Sequence, residues 1–128
     1  MKKISVLLSF LLVVLLCVGC GPYGDYAGKY TEKGKNITIT VTLSSSGDFE
    51  WRCVLSSTHP HKNGPYDNDN YNVRKGSFTV KDNVIKIEYS YYDEPSGQRR
   101  TGSATARLKN NKLVISGNGE IDGTYTKQ

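Results

Sequence analysis

Ile37–Leu55 reads ITITVTLSSSGDFEWRCVL. In its first half Ile37, Ile39, Val41 and Leu43 alternate with Thr38, Thr40 and Thr42, the period of two that puts apolar side chains on one face of a β-strand. Branched side chains at almost every position favour the same conformation. Ser44–Asp48 (SSSGD) is rich in turn residues. After it Phe49, Trp51, Cys53 and Leu55 fall on one face while Glu50 and Arg52 fall on the other. Two strands joined by a short turn are thus predicted, each with one side meant for a core.

The same grammar extends in both directions. Lys29–Thr31 is a short strand ahead of the pair, following the Gly-rich stretch 21–28 (GPYGDYAG). Downstream, Thr58–Gly76 is polar and rich in Asn, Asp, Gly and Pro, which predicts a loop of about nineteen residues with a short edge strand over Asn70–Val73. Ser77–Val80 forms the next strand and Lys81–Asn83 a hairpin turn. Val84–Tyr92 then alternates strongly, with Ile85, Ile87, Tyr89 and Tyr91 on one face and Lys86, Glu88, Ser90 and Tyr92 on the other. Asp93–Arg100 is a further turn, and Thr101–Leu108 a strand with Gly102, Ala104, Ala106 and Leu108 inward. Small residues there leave room for a bulky ring opposite. Lys109–Asn111 is a hairpin turn, followed by strands over Leu113–Ser116 and Glu120–Thr126.

About eight strands in short sequential connection, with no amphipathic helix, predict an all-β fold: a small antiparallel up-and-down barrel, whose closure removes unpaired edges. GKYT at Gly28–Thr31 and GTYT at Gly123–Thr126 bracket the domain and are placed to complete the sheet by pairing. A two-sheet sandwich is the alternative, because alternation sets faces and not closure.

The amino terminus has a different character. Lys2 and Lys3 precede an uncharged run from Ile4 to Gly19, the charge order of a secretory signal. The 16-residue run is slightly short for a spanning helix, although a retained anchor and ordinary secretion stand as alternatives. Val18 and Gly19 lead into Cys20, and Gly21 and Pro22 follow. This stretch resembles a bacterial lipoprotein signal, with Cys17 in the position three before the cysteine where that signal prefers Leu. The resemblance implies cleavage before Cys20, lipid on its thiol, and attachment to a bacterial cell membrane or outer membrane with the domain on the exported side. The expected division is 1–19 signal peptide, 20–27 lipidated tether and 28–128 barrel domain.

Of 128 residues 37% are hydrophobic and 23% charged, and 17 Lys and Arg against 12 Asp and Glu give a formal charge of +5, or +3 once Lys2 and Lys3 are removed. One domain is the size expected. Scattered cations of this number do not form the positive stripe of a duplex-DNA binder, so nucleic acid is not expected as a partner. Of the three cysteines only Cys53 stays unmodified in the domain, which leaves no disulfide framework and makes Cys53 a small buried hydrophobe.

GKYT, TITVTLSSSGDFE, KDNVIKIEY, KNNKLVISG and GTYTK together resemble the small lipocalin-like bacterial lipoproteins, over most of residues 28–127. The resemblance implies an antiparallel barrel on a lipid anchor, able to enclose a small apolar ligand.

Candidate chemistry is sparse. His59 and His61 share the long loop with Asp67 and Asp69, a weak set for zinc or copper. The run Asp67–Asn70 lacks the sixth-position Gly and twelfth-position Glu of a calcium loop, having Asn72 and Phe78 there. No serine lies in GxSxG, and Glu50, Glu88 and Glu94 read as ordinary outward carboxylates. Asn36–Thr38 (NIT) reads as a turn entering a strand. No enzyme activity, metal or cofactor is expected.

The aromatic residues are the better lead. Trp51, Tyr89 and Tyr91 lie on the core face, where they fill the barrel or line a pocket. Tyr66 and Tyr71 belong to the loop, and Tyr92 faces outward, all three suited to an interface. Lys62, Arg74, Lys75, Arg99 and Arg100 read as a solvated face, or as one for acidic lipid or an anionic partner. The expected role is noncatalytic binding of a small apolar molecule or of a protein. The alternatives are a structural envelope protein without a ligand and a lipoprotein enzyme of unknown class.

Overall fold

In a computed structural model, residues 21–93, 95–117 and 119–128 are described; residues 1–20, which hold the signal and Cys20, lie outside them. Eight strands run in chain order: β1 (Gly28–Lys33), β2 (Ile37–Leu43), β3 (Asp48–Leu55), β4 (Val73–Lys81), β5 (Val84–Asp93), β6 (Gln98–Lys109), β7 (Lys112–Ser116) and β8 (Gly123–Lys127). Each pairs antiparallel with the next, and β1 pairs with β8, so the sheet closes into an up-and-down barrel. Closure excludes the sandwich. It is made by Tyr30 opposite Lys127 and Thr31 opposite Thr126, so the two segments the sequence singles out do pair, the contact running one residue past the second.

Alternation explains the interior. Val41, Leu43, Phe49, Phe78, Ile85, Ile87, Leu113 and Ile115 are each at most 2% exposed and form one cluster with Tyr30, Tyr89, Ala104, Ala106 and Tyr125. Burying an aliphatic side chain of this size contributes about 1.5–3 kcal/mol. The hairpins at one end turn through Asp82 and Asn83 (φ 54° and 63°) and through Asn110 and Asn111 (φ 53° and 63°). Two consecutive left-handed residues are what a two-residue hairpin turn matched to the strand twist requires, and Asn and Asp bear them at low cost.

The structure corrects several boundaries. Asn70–Val73 is not an edge strand: Asp69–Asn72 forms a single helical turn, α1, capped by the Asn68 side chain accepting from the Asn70 N–H at 2.9 Å. β4 starts at Val73 rather than Ser77, because Arg74 and Gly76 take the inward places that the pattern reserves for apolar residues. β5 and β6 extend to Asp93 and Gln98, which reduces the turn between them to 94–97. The last strand starts at Gly123, and Ile121, fully buried, belongs to the preceding loop.

The stretch ahead of β1 is packed against the barrel. The Tyr23 ring lies 5.0 Å from that of Phe78, its N–H donates to the Ser45 carbonyl at 3.0 Å, and Tyr30 Oη donates to the Tyr26 carbonyl at 2.7 Å. Residues 21–27 are thereby fixed at the end of the barrel formed by the β2–β3, β4–β5 and β6–β7 turns. This is called the turn end below; the opposite one, covered by residues 56–72, is the loop end. Among the described residues no helix is long and apolar enough to cross a membrane.

Candidate functional site

On β4 an inward position near the loop end carries a charged rather than an apolar side chain. Arg74, opposite Trp51 on β3, enters the barrel, and its guanidinium carbon sits 4.5 Å from the Tyr91 ring centroid and 5.7 Å from that of Trp51. Its Nη2 and Nε donate to Glu120 Oε1 at 3.1 and 3.3 Å, while Nη1 donates to the carbonyls of Tyr71 and Val73. Tyr89 Oη donates to the other Glu120 oxygen at 2.8 Å. Behind this group the Trp51 indole N–H donates to Tyr125 Oη at 3.2 Å, and that hydroxyl donates to the Ile121 carbonyl at 2.7 Å. Burial pushes the Tyr125 hydroxyl pKa up, with Glu32 and Asp122 adding to the rise and the bond from Trp51 opposing it.

Trp51, Tyr89 and Tyr91 are therefore together on the inner face, as the alternation predicts, but they enclose a cation. The Trp51 and Tyr91 rings hold Arg74, whose side chain is 13% exposed, by their π faces, and Glu120 pairs with it while accepting from Tyr89 on its other oxygen. Sequence reasoning misses this. It groups Arg74 with Lys62, Lys75, Arg99 and Arg100 on the outside, and only the missing apolar residue at an inward place points to it. Of the others, Lys62 pairs with Asp67 at 3.6 Å, Lys75 with Glu50 at 4.0 Å and Arg100 with Asp93 at 2.6 Å. Those three are solvated, locally paired charges.

Tyr89 fits because its strand neighbours have no side chain. It lies between Gly76 on β4 and Gly102 on β6. A Cβ at Gly102 would sit 2.5 Å from Tyr89 Oη and 2.9 Å from its Cε2. The ring occupies the space the glycine leaves, the unequal packing expected for a narrow barrel.

Above the barrel, Tyr66 and Tyr71 meet edge to face at 4.7 Å, and Tyr66 stays 58% exposed. Tyr92 points outward from β5 and lines, with Asp69, Asn70, Lys75 and Arg99, a depression of about 190 Å³ beside α1. A second, of about 520 Å³, lies on the outer wall of β4–β6 among Lys75, Glu88, Ser90, Thr101 and Ser103. Neither is the barrel interior.

His59 and His61 do meet, with ring centroids 5.5 Å apart and the His61 backbone N–H donating to His59 Nδ1 at 3.0 Å. The aspartates are engaged elsewhere. Asp67 accepts from the Asn63 N–H and the Asn72 amide, and Asp69 accepts from Arg52 at 3.2 Å. Among the described residues no group of three or more His, Cys, Asp or Glu is placed to hold a metal ion. Glu50 is tied to Arg52 at 3.0 Å, Glu88 faces outward, and Glu94 lies outside the described residues. Cys53, buried on the inner face, has its thiol pKa raised first by desolvation and further by Asp67, with Arg74 opposing.

Fold and site together define a class: an all-β, closed eight-stranded antiparallel barrel of lipocalin-like topology, a shape consistent with binding a ligand or partner. Comparison with family models, with curated proteins and with solved structures gives no match to this chain.

Proposed function

We propose that this protein is a noncatalytic binding module, held to a bacterial membrane by lipid on Cys20, that recognises a protein partner with its loop end. The observation carrying the choice of a protein over a small apolar ligand is the Arg74 group. Trp51, Tyr89 and Tyr91, the residues that would line a lipocalin-type pocket, are spent on enclosing a guanidinium and its carboxylate. An apolar ligand entering there would first have to separate that pair, a cost reduced but not removed by the partial exposure of Glu120. The loop end instead presents Tyr66, braced by Tyr71, and, in the depression beside α1, Tyr92 and Arg99. Tyr and Arg at a fixed position are the residue types that anchor protein interfaces.

Native mass spectrometry of the purified lipid-bearing protein tests this. A protein co-purifying with the wild type and lost from Tyr66→Ala/Tyr92→Ala is the expected result. A small apolar molecule carried in stoichiometric amount by the wild type and by the double variant alike would overturn it. Intact mass tests the anchor, since Cys20→Ser must lose the acyl increment.

A further inference from the structure

The ion pairs of the barrel gather toward one end, while lysines without a carboxylate partner gather at the other, although among the described residues Lys33, Lys35 and Arg99 at the loop end are also outside any pair. Among the described residues the six ion pairs, Arg52 with Glu50 and Asp69, Lys62–Asp67, Arg74–Glu120, Lys75–Glu50 and Arg100–Asp93, lie in the loop-end half or on the wall next to it. The turn end differs. Lys29 opens β1, Lys81 ends β4, Lys109 and Lys112 flank the β6–β7 turn, and Lys127 ends β8. Among the described residues none of these five forms an ion pair. Lys109 and Lys112 stand directly opposite one another across β6 and β7, a like-charge placement that costs stability in an isolated domain. Lys127 lies beside them, its backbone N–H bonded to the Asn111 carbonyl at 2.7 Å and its ammonium 6.0 Å from the Tyr30 ring. Among the described residues the side-chain carboxylates near this end are Asp25, Asp48 and Asp82, of which Asp48 accepts from Ser46 at 3.3 Å. Five lysines against three aspartates leave the end positive.

This is also the end at which the chain arrives from Cys20. Gly21 and Tyr23 lie against Ser45 in the β2–β3 turn, and the lysines occupy the rest of the rim, from β4 round through β6, β7 and β8 to β1. A lipid on Cys20, one residue before Gly21, brings this rim to within about a Debye length (~10 Å) of the bilayer, where unscreened charge is felt.

We infer that the lysine rim at the turn end, formed by Lys29, Lys81, Lys109, Lys112 and Lys127, rests on anionic phospholipid headgroups and stands the barrel upright on the membrane with the loop end outward. The inference rests on the lipid anchor at Cys20 proposed above. Phosphates between Lys109 and Lys112 would relieve their repulsion, and the tether turns a weak electrostatic contact into an intramolecular one.

The test uses the lipid-bearing protein reconstituted into vesicles of phosphatidylcholine alone, or of phosphatidylcholine with a quarter phosphatidylglycerol. Amine labelling with a membrane-impermeant reagent is read by peptide mass spectrometry. On the anionic vesicles the five rim lysines should label about fivefold more slowly, the factor expected for a lysine at an anionic surface. Lys33 and Lys35 at the loop end serve as the reference and should not change. Raising salt from about 0.1 M to about 1 M should remove the protection, as should Lys109→Glu/Lys112→Glu at Lys29 and Lys81. Equal labelling of the rim on both vesicle types, with the acyl mass present on Cys20, overturns the inference and leaves the anchor standing. Equal protection on both, insensitive to salt, also overturns it, since steric shielding by the tether then suffices. Absence of the acyl mass overturns the anchor itself and the orientation with it.

Discussion

Replacing Gly102 by Ala is the sharpest test of how the barrel is filled. In a strand without steric conflict, Gly→Ala stabilises by about 0.5–1 kcal/mol, because glycine has more backbone freedom to lose on folding. Here the added methyl would lie 2.5 Å from Tyr89 Oη and 2.9 Å from Cε2, so the ring must move. On its other side Tyr89 is backed by Gly76, where a Cβ would sit 2.6 Å from Tyr89 Cα, so the β4 and β5 backbones are already in close contact. Phe49 and Tyr91, with ring centroids each 6.2 Å from that of Tyr89, limit the remaining directions. Overpacking costs about 1–3 kcal/mol, and straining the bond from Tyr89 to Glu120 adds about 1 kcal/mol, less than a fully buried charged bond because Glu120 is partly exposed. Destabilisation by about 2–4 kcal/mol is therefore expected, a fall in Tm of about 10–20 °C for a domain of this size. Thermal unfolding followed by circular dichroism measures it, with Thr101→Ala on the outer face as the control that should stay within about 0.5 kcal/mol. Gly102→Ala/Tyr89→Leu should lose less than the two single changes added together, since the shorter side chain removes the conflict. An unchanged or raised Tm for Gly102→Ala would refute the packing described.

Tyr125→Phe removes the acceptor of the Trp51 indole and the donor to the Ile121 carbonyl and should cost about 1–3 kcal/mol; Trp51 is the single tryptophan, so its emission should shift with the change, and an unaltered spectrum and midpoint would count against the bond. The Cys53 thiol, buried and raised in pKa, should resist a thiol-specific reagent at neutral pH in the folded protein and react fully in guanidinium, whereas rapid labelling of folded protein would contradict its placement. The Arg100 and Ser96 hydrogen bonds hold the Asp93 carboxyl below the usual carboxylate range, so its small contribution is present above the unfolded value of about 4 and is lost as pH falls through the lower folded value; Asp93→Asn should flatten that acid limb of the Tm–pH profile, and superimposable profiles would argue against the pair.

The fold was legible wherever one face of a strand is apolar and the other is not. Ile37–Leu55 and Val84–Tyr92 meet that condition, and so their faces, including those of Trp51, Tyr89, Tyr91 and Tyr92, follow from spacing alone. Val73–Gly76 does not. There Arg74 turns inward, Gly76 makes room for a ring, and Val73 is buried outside the barrel beside α1, so the segment reads as loop although it is strand. α1 has only four residues, too few for periodicity, and its one local signal is the capping Asn68. The candidate site was legible as a set of aromatic residues, but what they surround was not. Arg74 and Glu120 are 46 residues apart in sequence and Trp51 and Tyr125 are 74 apart, and only closure of the barrel brings them together.

Closure has a consequence for how the chain folds. Each strand from β1 to β7 pairs with the one that follows it, and apart from the 56–72 connection between β3 and β4 these are short hairpins that cost little loop entropy to form. The β1–β8 seam is the exception, joining Tyr30 to Lys127 through two register pairs and the Gln128 N–H bond to the Lys29 carbonyl at 2.9 Å. The meander can zip from β1 onward, but the seam waits for β8, the last of the eight strands. Until then β1 and the most recent strand are open edges, and a chain shortened by the five residues of β8 would keep two of them permanently. Such a truncation should yield aggregates by edge pairing rather than a seven-stranded barrel, which makes the carboxyl-terminal GTYTK the latch on an otherwise local fold.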